Sequence, residues 1–294
     1  MTPARARPDW QARIAADLAA PVPGPVAAMA AHLAARDGVV AVLFYGNVLR
    51  SGDAGLMDFY VLVEDYARYH GAGLAARANR ALPPNVYHEV LGETAAKVAV
   101  ISRTQFRNRM LCRSRDTTTW ARFCQPARLV WVRDAGLRRL IEGLIAEAYR
   151  TAAWWAARLA PADADPRAAW QALFRATYGA ELRVESGDRA EQIVTAGWST
   201  YGPTSDALMA TPVSGAERAV ARRKWAAARR RGKLLNFLRL LKAAATYRGG
   251  IDYALSKVER HTGAPAPMSG LARRLPWLAA PVIFIRLILQ RRLR

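Results

Sequence analysis

Apolar residues take two textures along this chain. Through the first 135 residues they gather into short runs rich in valine and aromatics: GVVAVLFY at 38–45, LMDFYVLV at 56–63, VYHEVL at 86–91, AKVAVI at 96–101 and RLVWV at 128–132. Runs of that length and make-up predict strands. Between them, helical spacing predicts a helix over 27–36 and another over 66–81, stopped by Pro83 and Pro84. Residues 1–25 read as an exposed arm or short helix ended by Pro21, Pro23 and Pro25. From Gly136 the texture turns to Ala, Leu, Trp and Arg at helical spacing, with PADADP at 161–166 as a loop. Trp154, Trp155 and Trp170 are expected to pack between those helices. The pattern describes an α+β chain: a small mixed sheet flanked by helices, then a mainly helical region.

One junction carries chemistry. From Leu43 to Glu64 a glycine turn, Tyr45-Gly46-Asn47, leads to a strand with a single carboxylate, Asp58, between apolar residues. A glycine turn lets backbone approach a phosphate closely. Carboxylates two apart on a strand share a face, and such pairs hold the Mg²⁺ ions of nucleotidyl transfer. Here Asp58 takes the second such position and Leu56 occupies the first. The same residues also describe a plain hairpin, with Gly46 and Gly52 at its turns and Asp58 in solvent.

Four further segments narrow the choice. MDFYVLVEDYARYH, LPPNVYHEV, AAKVAVIS and ARFCQP, in that order between residues 57 and 126, resemble the mitochondrial-type phosphatidate cytidylyltransferases, peripheral CDP-diacylglycerol synthases with a nucleotidyltransferase fold. The resemblance covers residues 43–128 and is loose beyond them. It implies a nucleotidyltransferase domain at 1–135, a helical domain at 136–270 and a membrane-binding tail at 271–294. It puts Gly46 and Asn47, beside Tyr45, at the phosphate-receiving turn and Asp58 at the metal. Tyr69 and His70 match an aromatic-His pair that contacts the nucleotide; Lys97 and Arg122 match a lysine and an arginine that offset phosphate charge. Asn47 replaces the usual serine and Gln125 the usual lysine. The implied reaction joins CTP and phosphatidate, with Mg²⁺ as cofactor.

Other residues are read individually. Glu89, in the alternating run VYHEV, is either a further metal carboxylate completing a site with Asp58 or an ordinary surface residue. Asp53 and Asp65 suit turns or caps. Arg175, Tyr178, Glu181 and Arg183 lie at near-helical spacing and could line a cleft against the sheet. Cys112 and Cys124 form no metal or redox motif, and so few cysteines suit a reducing cytosol. Serine-hydrolase, P-loop and dinucleotide-binding patterns are absent.

Charge then bears on partners. A formal net charge of +21 calls for anionic ones. Between Arg218 and Arg248 there are eleven Lys or Arg and no Asp or Glu, in a helix-favouring run that reads either as a solvated basic helix packing Leu235, Leu238 and Leu241 inward or as a one-signed face for an anionic partner. From Leu275 to Gln290 lies an apolar stretch interrupted by Arg286 and flanked by arginines, too short and too charged to span a bilayer. It reads as an interfacial anchor on an anionic membrane. No nucleic-acid partner is expected, because such a binder gives no reason to end on VIFIRLIL. The N-terminus resembles neither a secretory signal nor a transit peptide, so the expected place is the cytoplasmic face of the inner membrane. A different acceptor, or a noncatalytic protein of the same fold, is the alternative.

Overall fold

The structure, a computed structural model, describes residues 8–52, 55–180 and 189–246. Five strands form one sheet: β1 (Val39–Tyr45), β2 (Met57–Val63), β3 (Asn85–Leu91), β4 (Thr94–Ser102) and β5 (Ala127–Val132). Their order is β3-β4-β2-β1-β5. β2 and β4 run parallel, and the other neighbours are antiparallel. All five match the apolar runs read from the sequence. Every residue of β1 is buried, because helices cover both faces of this interior strand, and that is why it reads as continuously apolar rather than alternating.

Helices α1 (Asp9–Ala19) and α2 (Gly24–Ala34) precede the sheet. Short helices α3 (Asn47–Ser51), α4 (Tyr66–His70), α5 (Leu74–Ala81), α6 (Arg103–Met110) and α7 (Thr118–Phe123) fall between strands. Then come α8 (Ala135–Leu159), α9 (Pro166–Ala180), α10 (Arg189–Ala196), α11 (Trp198–Leu208) and α12 (Gly215–Thr246). Strand alternation sorts the core into two layers. Phe59, Val61 and Val63 join Val26, Met29 and Leu33 of α2 on one face. Tyr60 and Leu62 join the other layer, which runs without a break through Phe106, Trp120, Ile141, Trp170 and Tyr201 to Trp225 of α12. Trp170 is fully buried, and Trp155 packs edge-on to Trp225 at 5.0 Å, as expected of helix-packing tryptophans.

One open reading is decided and two expectations change. Of the arm or short helix expected over residues 1–25, the structure gives the helix, and α1 buries Trp10, Ile14 and Leu18 in the larger layer. The helix expected over 66–81 is two, because Gly71 takes a left-handed φ of 77° and ends α4. In α12 the inward residues are Ala221, Trp225 and Ala228, whereas Leu238 is 38% exposed and Leu235 half-buried. The side chain of Leu241, Asp53 and the whole tail at 271–294 lie outside the described residues. Among the described residues no single helix is long and apolar enough to cross a membrane.

The end of α12 is fastened to the loop before β3. Lys242 Nζ donates to the carbonyls of Leu82 at 2.6 Å and Pro84 at 2.9 Å and to Asn79 Oδ1 at 3.2 Å. Arg239 and Arg109 both donate to the Pro83 carbonyl, at 2.9 and 3.0 Å. The same two arginines pair with Asp116, which is 8% exposed. Burial alone would raise the Asp116 carboxyl, but Arg239 and then Arg109 outweigh it and hold it down at about 2.

Candidate active site

Where β1 ends, the chain must turn away from the sheet without covering Asp58. Gly46 does this with φ 98°, and a Cβ at that position would lie 2.5 Å from Asp58 Oδ2. Both the left-handed backbone and the close approach therefore require glycine here. Strand register continues the line: Tyr45 pairs with Asp58, Asp58 with Lys97, and Lys97 with His88. Asp58 and Lys97 meet across β2 and β4, with Nζ 3.5 Å from Oδ1 and both side chains about three-quarters buried.

Above this row lies an open cavity of about 260 Å³, lined by Tyr45, Gly46, Asn47, Asp58, Lys97 and Arg122, with Arg50, Gln125, Tyr178 and Arg189 around them. Of the residues expected to act together, Tyr45, Gly46, Asn47, Asp58, Lys97 and Arg122 do converge. The Arg122 guanidinium lies 5.5 Å from the centre of the Tyr45 ring and 6.0 Å from that of Tyr60, a cation on an aromatic shelf. Gln125 is braced by its own amide, which donates to the Ala121 carbonyl at 2.8 Å, while its oxygen accepts from Arg50 at 3.3 Å. Tyr178, singled out for a cleft wall, does line the cavity; Arg175 is exposed, and Glu181 and Arg183 lie outside the described residues.

Two expected members are elsewhere. Glu89 pairs with Ala96, one residue along β4 from Lys97, so alternation turns it to the opposite face of the sheet. There it forms an ion pair with Arg36 at 2.8 Å, and Arg36 also donates to the Tyr69 hydroxyl at 3.0 Å. It shares no site with Asp58. His70 follows β2 at the end of that strand away from Asp58. Its Nε2 lies 3.1 Å from Asn79 Nδ2, which can only donate, so Nδ1 carries the proton toward the Tyr87 hydroxyl at 3.0 Å. Burial, with Lys242 and Arg36 nearby, lowers this imidazole to about 4. His70 is a neutral structural histidine outside the cavity. Asp65 is a cap, accepting from the Ala67 amide at 3.1 Å.

The donor set decides what metal the cavity can take. Asp58 is the only carboxylate among the described residues that line it, and no group of three His, Cys, Asp or Glu among the described residues could hold a metal. Mg²⁺ commonly takes one or two carboxylates, completing its shell with substrate phosphate and water. The described residues therefore fit one ion carried in on a phosphate and held by Asp58. Four cations, Arg50, Lys97, Arg122 and Arg189, against one carboxylate make the lining strongly receptive to a polyanion.

Two of those cations, Arg50 and Arg189, had not been singled out. Arg50 stands three residues after Asn47, one helical turn on, which is a usable signal. Arg189 starts α10, and no local pattern marks it. No family model matches the chain, and no curated protein matches it. A solved structure, that of a nucleotidyltransferase-like protein from Exiguobacterium sibiricum, is similar over 79% of this chain and 85% of its own, at 11% identity and a TM-score of 0.25. So slight a likeness leaves the function to be argued from the cavity.

Proposed function

We propose that this protein is a nucleotidyltransferase that joins CTP to the phosphate of phosphatidate, releasing pyrophosphate, on an anionic membrane surface. One observation carries the reading: the turn Gly46-Asn47, Asp58, Lys97 and Arg122, which the family resemblance names from four separate segments, line one cationic cavity. A mere hairpin would have no cause to gather them.

The chemistry asks little of a general base, because a lipid phosphate is already ionised at neutral pH. What it asks is positioning and charge compensation. Gly46 leaves room for phosphate beside Asp58, and Lys97 and Arg122 offset the charge that builds on the phosphates. When bound, a single Mg²⁺ on Asp58 would draw charge off the phosphates. The lipid would present its headgroup to this open cavity while its acyl chains stay in the bilayer. The basic tail at 271–294 would hold the protein at that surface, on the cytoplasmic face of the inner membrane.

A second reading draws support from the lone carboxylate. With Leu56 at the first acidic position and Glu89 on the opposite face, the cavity could bind a nucleotide without turning it over. Pyrophosphate release from CTP and Mg²⁺, with phosphatidate in detergent micelles, separates the two. Lipid-dependent release that Asp58→Asn abolishes supports the enzyme; nucleotide binding without release from any triphosphate supports the noncatalytic reading.

A further inference from the structure

The wall facing the sheet belongs to the helical part of the chain, and it contributes an arginine to the cavity. Arg189 Nη2 donates to Asn47 Oδ1 at 2.9 Å, across 142 residues of sequence. Thr177 and Tyr178 of α9 flank the same wall. Cations thus stand on both sides of Asp58: Lys97 on the β4 side, and Arg50 and Arg189 on the β1 side beside the glycine turn.

Resting on the proposed reading, we infer that Arg189 is the residue that grips the two terminal phosphates of the triphosphate, so that the helical part completes the leaving-group end of the site. Its Asn47 partner is a neutral amide. A phosphate oxygen can replace that amide oxygen and turn a neutral acceptor into a charge-assisted, two-pronged one. Asn47, where a shorter serine is usual in the resembled family, is long enough to hold the guanidinium over the turn before substrate arrives. Lys97 lies across β2 from Arg189 and is left to the phosphate that is attacked.

The test is calorimetric titration of the full chain with inorganic tripolyphosphate and, separately, with CMP, in wild type, Arg189→Gln and Arg189→Lys. Tripolyphosphate probes the terminal phosphates without a base, and CMP carries only the phosphate nearest the sugar. Arg189→Gln is expected to weaken tripolyphosphate roughly 10- to 100-fold, the worth of one or two hydrogen bonds to a charged group, and to change CMP affinity less than about twofold. Arg189→Lys should fall between, keeping the charge but losing the fork. Equal losses for both ligands, or undiminished tripolyphosphate binding in Arg189→Gln, overturn the assignment. So does a wild type that binds no polyphosphate. Tight tripolyphosphate binding that depends on Arg189, without turnover on lipid, upholds it while removing the cytidylyltransferase reading.

Discussion

Two polar clusters sit against the same sheet and differ in where their partners lie. Around Asp58 the charged groups face a cavity, and amides of Asn47 and Gln125 steady two of the arginines. Around the loop 82–84 the charged groups face protein. Asp116 lies between two arginines, Lys242 spends its ammonium on three oxygens, and His70 is fixed in one tautomer between Asn79 and Tyr87. The first cluster opens onto a cavity, and the second fastens α12 to the loop before β3. Residue type does not separate them, since arginine, lysine, asparagine and carboxylate occur in both; the direction of the partners does.

The largest expected effect comes from breaking the inward cluster. Asp116→Ala strands Arg109 and Arg239 in a buried place, and removing one member of a buried ion pair costs about 3–5 kcal/mol. Denaturant unfolding should register that loss, while tripolyphosphate affinity, measured where the variant is still folded, stays within about twofold of wild type. A matching loss of affinity would mean that the two clusters are one system.

Gly46→Ala attacks the cavity instead. The added methyl would meet Asp58 Oδ2 at 2.5 Å on a backbone that side chains rarely adopt, so strain of about 1–3 kcal/mol is expected. Because the strain relaxes by moving Asp58 or the turn, pyrophosphate release should fall by at least about tenfold at saturating substrate. Asp58→Asn should abolish release with a stability change under about 1 kcal/mol, since its ion pair with Lys97 is long and part-exposed.

Acid should loosen the inward cluster in two windows. The His70 imidazole is lowered to about 4 from about 6.5, so the unfolded chain takes up its proton first. Its contribution is complete above about 6.5 and is lost as pH falls toward 4. The Asp116 carboxyl, held at about 2 against an unfolded value near 3.8, adds a loss between those two values. Unfolding free energy followed against pH should lose its upper step in His70→Gln and its lower step in Asp116→Asn.

How much of this was legible in the sequence follows from what sets each feature. The interior strands β1, β2 and β4 are largely buried and announce themselves as apolar runs, while the edge strands were legible from alternation in β3 and a short β-favouring run in β5. The burial of α1 was signalled by Trp10, Ile14 and Leu18 at helical spacing, which the reading of an exposed arm or short helix left unused. The break at Gly71 hides inside a helix-favouring stretch. Gly46 and Asp58 were marked by the glycine turn and the lone strand carboxylate, but Lys97 and Arg122 were found through resemblance to a family, because no local rule connects residues that meet only across strands. Arg189 had no such aid: in a chain with 44 Lys and Arg, which one reaches the turn depends on how the helical part packs.

The smallest effect is the most discriminating for the sheet itself. His88 pairs with Lys97 and Glu89 with Ala96, so one residue of register decides which of the two shares a face with Asp58. With this register, Glu89→Gln removes a half-buried ion pair to Arg36, worth about 1 kcal/mol or less, and touches nothing in the cavity. Its dependence of pyrophosphate release on Mg²⁺ concentration should overlay the wild-type curve. A rightward shift would instead mean that Glu89 reaches the metal, which requires β3 to slip by one residue against β4. That slip would turn Tyr87, and with it the His70 contact, to the other face. The midpoint of the His70 acid step, measured in the same variant, therefore gives a second check: with the register intact that step persists, because the Tyr87 hydroxyl and Asn79 amide that fix the neutral tautomer are undisturbed.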